Sequence, residues 1–86
     1  MDKTAAFIDQ IRWLHEVDYG DFKRKVGLYI LRLESSLDPS QKKSVKDLIT
    51  QMRHEVLYQS HEDVEQTRQS TLKLAEQIHS RLHVRH

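Results

Sequence analysis

The chain reads as all-α, a small antiparallel helical bundle forming a single domain over residues 1–86, and three observations carry that reading. Apolar residues recur at helical spacing: Phe22, Val26, Tyr29, Ile30, Leu33 and Leu37 fall on one stripe roughly 100° wide. Hydrophobic residues are 37% and charged residues 31%, with Gly 2 and Pro 1, a balance that suits packed helices better than disorder or a β-fold. The proline itself lies in Asp38-Pro39-Ser40-Gln41, a helix-start signature.

The first helix is expected over residues 4–18. Thr4 can accept a hydrogen bond from an unpaired first-turn N–H, and Phe7, Ile11 and Leu14 share the main face, widened by Ala6, Trp13 and Val17. Ile8 sits apart from that face. Gly20 offers a left-handed residue at low cost and should close the helix. A second helix follows over residues 21–37 with Asp21 as its cap, and so short a link predicts an antiparallel hairpin. Gly27 lies inside this helix at a cost of about 1 kcal/mol relative to alanine, which suggests a neighbouring backbone crossing there. Leu28 and Leu31 lie opposite the core stripe, beside Arg24 and Ser35, so the middle of the helix is apolar nearly all round. Such a helix is covered on both sides, by its own chain or by a partner.

The third helix begins at Pro39, with Asp38 capping and Gln41 reaching back to complete a capping box. Val45, Leu48, Ile49, Met52 and Val56 form its core stripe, and Met52 reads as a gap-filling core residue. No Gly, Pro or Asn follows Pro39. Residues 39–83 are therefore either one long helix or two helices broken near Ser60. The absence of a residue tolerant of positive φ favours continuity; Ser60 with Asp63 as a cap, followed by Glu65, favours the break, which makes a four-helix variant. A continuous helix would span about 65 Å and call for a second chain to cover it. Either way the centre of the stripe is polar, through Ser60, Asp63, Thr67 and Thr71.

Net charge is +1, and the two halves are each nearly balanced, which argues against a dedicated polyanion binder. Cysteine is absent, so disulfides, thiolate nucleophiles and cysteine zinc sites are excluded. The first residues lack a secretion-signal pattern and no apolar run approaches the ~20 residues of a membrane span, so a cytoplasmic location and no membrane partner are expected. Among six histidines, His79, His83 and His86 share a face with Glu76 at spacings that could chelate a metal, but they sit in the last turns with no evident supporting shell. No metal, cofactor or small-molecule substrate is expected. Nucleophile–base sets, carboxylate pairs in apolar settings and glycine-rich phosphate loops are all missing from the sequence, so no enzyme is expected.

What remains is a small non-catalytic interaction protein of the adaptor, inhibitor or chaperone-like kind, expected as a homodimer with a protein partner. It would use apolar side chains outside the core stripes: Leu28, Leu31, Leu57, Tyr58 and Leu72, with Trp13 at the edge of the first helix. The alternative is a nucleic-acid-associated regulator using Lys23, Arg24 and Lys25 with Lys42, Lys43 and Lys46, two basic clusters at the starts of the second and third helices. That alternative needs the clusters brought together, since neither forms a single stripe for a groove.

Overall fold

The computed structural model describes residues 3–14, 17–58 and 63–83, and for residue 58 its backbone only. Four α-helices follow in order: α1 (Lys3–Arg12), α2 (Tyr19–Ser36), α3 (Pro39–Arg53) and α4 (Val64–Leu82), with a π-helical turn at His54–Tyr58 ending α3. The long continuous helix is thus overturned in favour of the four-helix arrangement. Asp63 caps α4, its carboxylate accepting from Glu65 N at 3.0 Å and Gln66 N at 3.2 Å, and Glu65 adds a negative charge in the first turn where the helix dipole favours it. A cap of this strength starts a helix without any glycine in the link. Ser60 lies outside the described residues.

Polar bonds between helix ends define the topology. Arg68 at the start of α4 donates to the carbonyl of Arg12 at the end of α1, and Thr4 at the start of α1 meets His79 near the end of α4. Arg81 at the end of α4 donates to Ser44 O in the first half of α3 and to Asp47 at its middle. Lys3 Nζ donates to Ser36 O at the end of α2, and Tyr19 OH to Val56 O just past α3. Each neighbouring pair is therefore antiparallel and the helices run up, down, up and down. The contacts of α4 with α1 and α3 are the most extensive, and those of α2 with α3 are sparse.

One core joins all four helices: Phe7, Ile8, Ile11 and Leu14; Phe22, Val26, Ile30, Leu33 and Leu37; Val45, Leu48, Ile49, Met52 and Val56; and Leu74, Ala75 and Ile78. The predicted stripes of α2 and α3 are its central layers. Ile8, expected apart, is buried as well, because α1 is flanked by both α2 and α4 and its covered arc is correspondingly wide. Of the polar centre of the stripe, Thr67 and Thr71 are buried too, whereas Asp63 is exposed. Thr71 Oγ1 donates to Thr67 O at 2.8 Å and Thr67 Oγ1 to Asp63 O at 3.2 Å, so each hydroxyl is satisfied one turn back along its own helix. No buried side-chain polar atom among the described residues lacks a partner.

Several helix ends differ from expectation. α1 stops at Arg12 rather than near residue 18, its end tightened by a three-residue bond from Leu14 N to Ile11 O. Thr4 lies inside that helix, buried, and its hydroxyl serves the contact with His79 instead of a cap. Gly20 does not close α1; it sits in the first turn of α2, whose cap is Asp18, accepting from Asp21 N at 2.8 Å. A cap three residues earlier wins because its carboxylate reaches the third residue of the helix, where Asp21 contributes only charge. At α3 the expected capping box is present in full, with Gln41 N to Asp38 Oδ1 at 2.8 Å and Asp38 N to Gln41 Oε1 at 3.1 Å.

Gly27 meets no crossing backbone. A Cβ placed there would lie 3.8 Å from Leu57 Cδ2, an ordinary side-chain contact. Gly27→Ala should therefore raise the unfolding free energy by about 0.5–1 kcal/mol, read from urea denaturation midpoints; a lower midpoint would mean the site is tighter than this geometry. Asp63→Ala should lower stability by about 1 kcal/mol on the same measurement, since two first-turn N–H groups lose their acceptor.

Candidate functional site

The side chains proposed from sequence as an apolar surface divide into two groups. Leu28 is 46% exposed and Leu31 57% exposed, one turn apart on the outer face of α2, opposite the fully buried Phe22, Val26 and Ile30. Trp13, just past the end of α1, is 72% exposed. Leu57 and Leu72, by contrast, are partly buried against the core. For Leu57 the cause is the π-helical turn, which advances each residue through less than the ~100° of an α-helix and draws Leu57 back toward the Met52–Val56 stripe and onto Gly27. For Leu72 it is the breadth of the arc that α4 buries between α1 and α3. The side chain of Tyr58 lies outside the described residues.

The two basic clusters are not brought together within the chain. Lys23, Arg24 and Lys25 lie near the start of α2, and Lys42 and Lys43 near the start of α3 with Lys46 at its middle; because these helices are antiparallel the two clusters lie apart along the bundle. Arg24 pairs with Asp21 at 2.7 Å, and Lys23 Nζ lies 5.5 Å from the centre of the Tyr19 ring. Lys42, Lys43 and Lys46 instead rim a half-open groove of about 510 Å³ between α2 and α3, together with Ile49, Glu34 and Arg53. The last two form an ion pair at the far end of the groove. Sequence reading found the lysines but not the groove, because Glu34 and Arg53 are nineteen positions apart and only the packing of α2 on α3 makes them neighbours.

Of the histidines whose spacing could chelate a metal, His79 contacts α1, and His79 and His83 contact each other. His79 Nδ1 lies 2.5 Å from Thr4 Oγ1, a link between α1 and α4, and the ring of His83 stacks on that of His79 at 4.2 Å, with His83 Nδ1 2.7 Å from His79 O. His86 lies outside the described residues. Among the described residues no group of three or more His, Asp or Glu side chains is placed to hold a metal ion.

One carboxylate is electrostatically perturbed. The hydrogen bond from the Arg81 guanidinium, 2.7 Å away, holds Asp47 below its ordinary pKa, and the charge of Arg81 acts in the same direction. The pair ties the middle of α3 to the end of α4, so its role is structural. A group with a depressed folded pKa adds stability above its ordinary pKa and loses it as pH falls through the depressed value. The stability difference between the native chain and Asp47→Asn should therefore be present near neutral pH and vanish on acidification below the carboxylate range, as read by thermal melts across about pH 2 to 6.

No helix among the described residues is long and apolar enough to cross a membrane. No family model matches the chain, and neither a curated protein nor a solved structure matches it.

Proposed function

We propose that this is a small non-catalytic helical protein that works by protein–protein association, pairing with a second copy of itself through the outer face of α2 and presenting the remaining surface to a partner. The observation that carries the reading is the exposure of Leu28 and Leu31 on a helix whose opposite stripe is already fully buried. Two large aliphatic side chains one turn apart are the unit from which helix-on-helix contacts are built, and covering them removes apolar surface from water at about 25 cal/mol per Å². In an antiparallel pairing of α2 with its copy, Leu28 of one chain would meet Leu31 of the other, and Arg24 and Ser35 would flank the contact.

The area is limited. α2 is about 27 Å long, so a contact confined to it falls at or below the ~1,200 Å² at which stable interfaces begin, and the assembly should dissociate on dilution. A charge in the centre of such a contact is buried without a partner and weakens it. The expected result is a mass approaching twice that of the chain at high concentration by light scattering on a sizing column, falling on dilution. Leu28→Glu/Leu31→Glu should shift that equilibrium at least 10-fold toward monomer with the helical circular dichroism unchanged. A native chain that remains monomeric throughout, or a double variant with native mass at every concentration, would remove this face from the interface.

A further inference from the structure

The cations of the described residues are mostly engaged. Arg12, Arg24, Arg53, Arg68 and Arg81 each pair with a carboxylate, Lys3 donates to a carbonyl and Lys23 sits against Tyr19. Lys25, Arg32 and Lys73 share no such contact, and Lys42, Lys43 and Lys46 form a further group without one. These last three are exposed, and no ammonium among them has an ion-pair or hydrogen-bond partner among the described residues. Yet they converge on one groove rather than pointing into open solvent.

The shape of the groove selects among anions. From Lys42 to Arg53 it follows α3 for about three turns, roughly 16 Å. Ile49, only 3% exposed, lies beneath it; its apolar surface comes mainly from the aliphatic stems of the lysines, and its rim is charged. Its far end is neutral, because Arg53 is paired with Glu34. A nucleic-acid backbone presents evenly spaced charge and is met by a continuous cationic track, which the Glu34 carboxylate interrupts and the distant Lys23–Lys25 cluster does not extend. A ligand matched to this groove is apolar along one side and acidic toward one end. We infer that the α2–α3 groove is the docking site for an acidic amphipathic helix of a partner protein, its apolar side chains over Ile49 and its carboxylates on Lys42, Lys43 and Lys46. Recognition is of the helix-in-groove kind, with charge setting the direction in which the segment lies.

The groove is separate from the Leu28/Leu31 face, so the two readings can fail independently. The test is fluorescence anisotropy with three labelled probes: a Leu/Glu amphipathic helical peptide of about four turns with its glutamates toward one end, the same peptide with every Glu replaced by Gln, and a short DNA duplex. The native chain should bind the acidic peptide, with affinity falling as salt rises. Lys42→Glu/Lys46→Glu should weaken that binding at least 10-fold, Lys42→Gln/Lys46→Gln by less, and the Gln peptide should bind at least 10-fold more weakly than the Glu peptide. Leu28→Glu/Leu31→Glu should leave peptide binding unchanged. Both lysines are exposed, so circular dichroism of their variants should match the native chain. The proposal is overturned by absence of peptide binding at millimolar concentration, by unchanged binding in the charge-reversed variant, or by a duplex bound more tightly than the peptide.

Discussion

Burial of the threonine stripe of α4 is the constraint on which the bundle depends. α4 has only three buried aliphatic residues, Leu74, Ala75 and Ile78, all in its second half. Its first half enters the core through Thr67 and Thr71, which are 2% and 0% exposed. A buried hydroxyl without a partner would cost more than its methyl group contributes. Each hydroxyl instead returns a hydrogen bond to the carbonyl four residues earlier, so both side chains can be buried with their polar atoms satisfied. Once that face can be dry, α4 has two neighbours to pack on, and the chain folds back after the π-helical turn without needing another molecule to cover it.

This solution makes α4 the helix with the most extensive contacts and α2 the one with the fewest. The contacts of α4 with α1 and α3 form the main body of the structure, while α2 packs through one stripe and leaves its other apolar side chains in water. The two candidate surfaces both follow from that asymmetry. The outer face of α2 is uncovered because no described residue lies over it. The groove beside α2 is open because α2 and α3 make sparse contacts, which leaves space above Ile49.

Charge serves two purposes in the molecule. Lys3, Arg68 and Arg81 reach across helix boundaries to carbonyls at the ends of α2 and α1 and in the first turns of α3, supplying donors where antiparallel neighbours meet. Such exposed bonds add little stability singly, but they select the antiparallel arrangement over alternatives in which the same ends would be apart. Lys42, Lys43 and Lys46 bridge no helices among the described residues. Lining a concave surface instead, they are the basis of the proposed docking.

By itself the sequence determined the fold class, the single core, the stripes of α2 and α3 and the capping box at Asp38, because helical period and capping chemistry act between residues a few positions apart. It also singled out Leu28 and Leu31 correctly as lying outside the stripe. Close in sequence but dependent on competition between caps, the choices of Asp18 over Asp21 and of a short α1 over a long one were not legible. Only the tertiary structure decided that residues 39–83 form two helices rather than one, that Leu57 and Leu72 join the core, that Thr4 faces His79, and that three lysines rim a groove ended by Glu34 and Arg53. The physical reason is common to all of these: they depend on which faces of separate helices meet, and that is settled by the packing energy of the whole bundle rather than by any local preference of the chain.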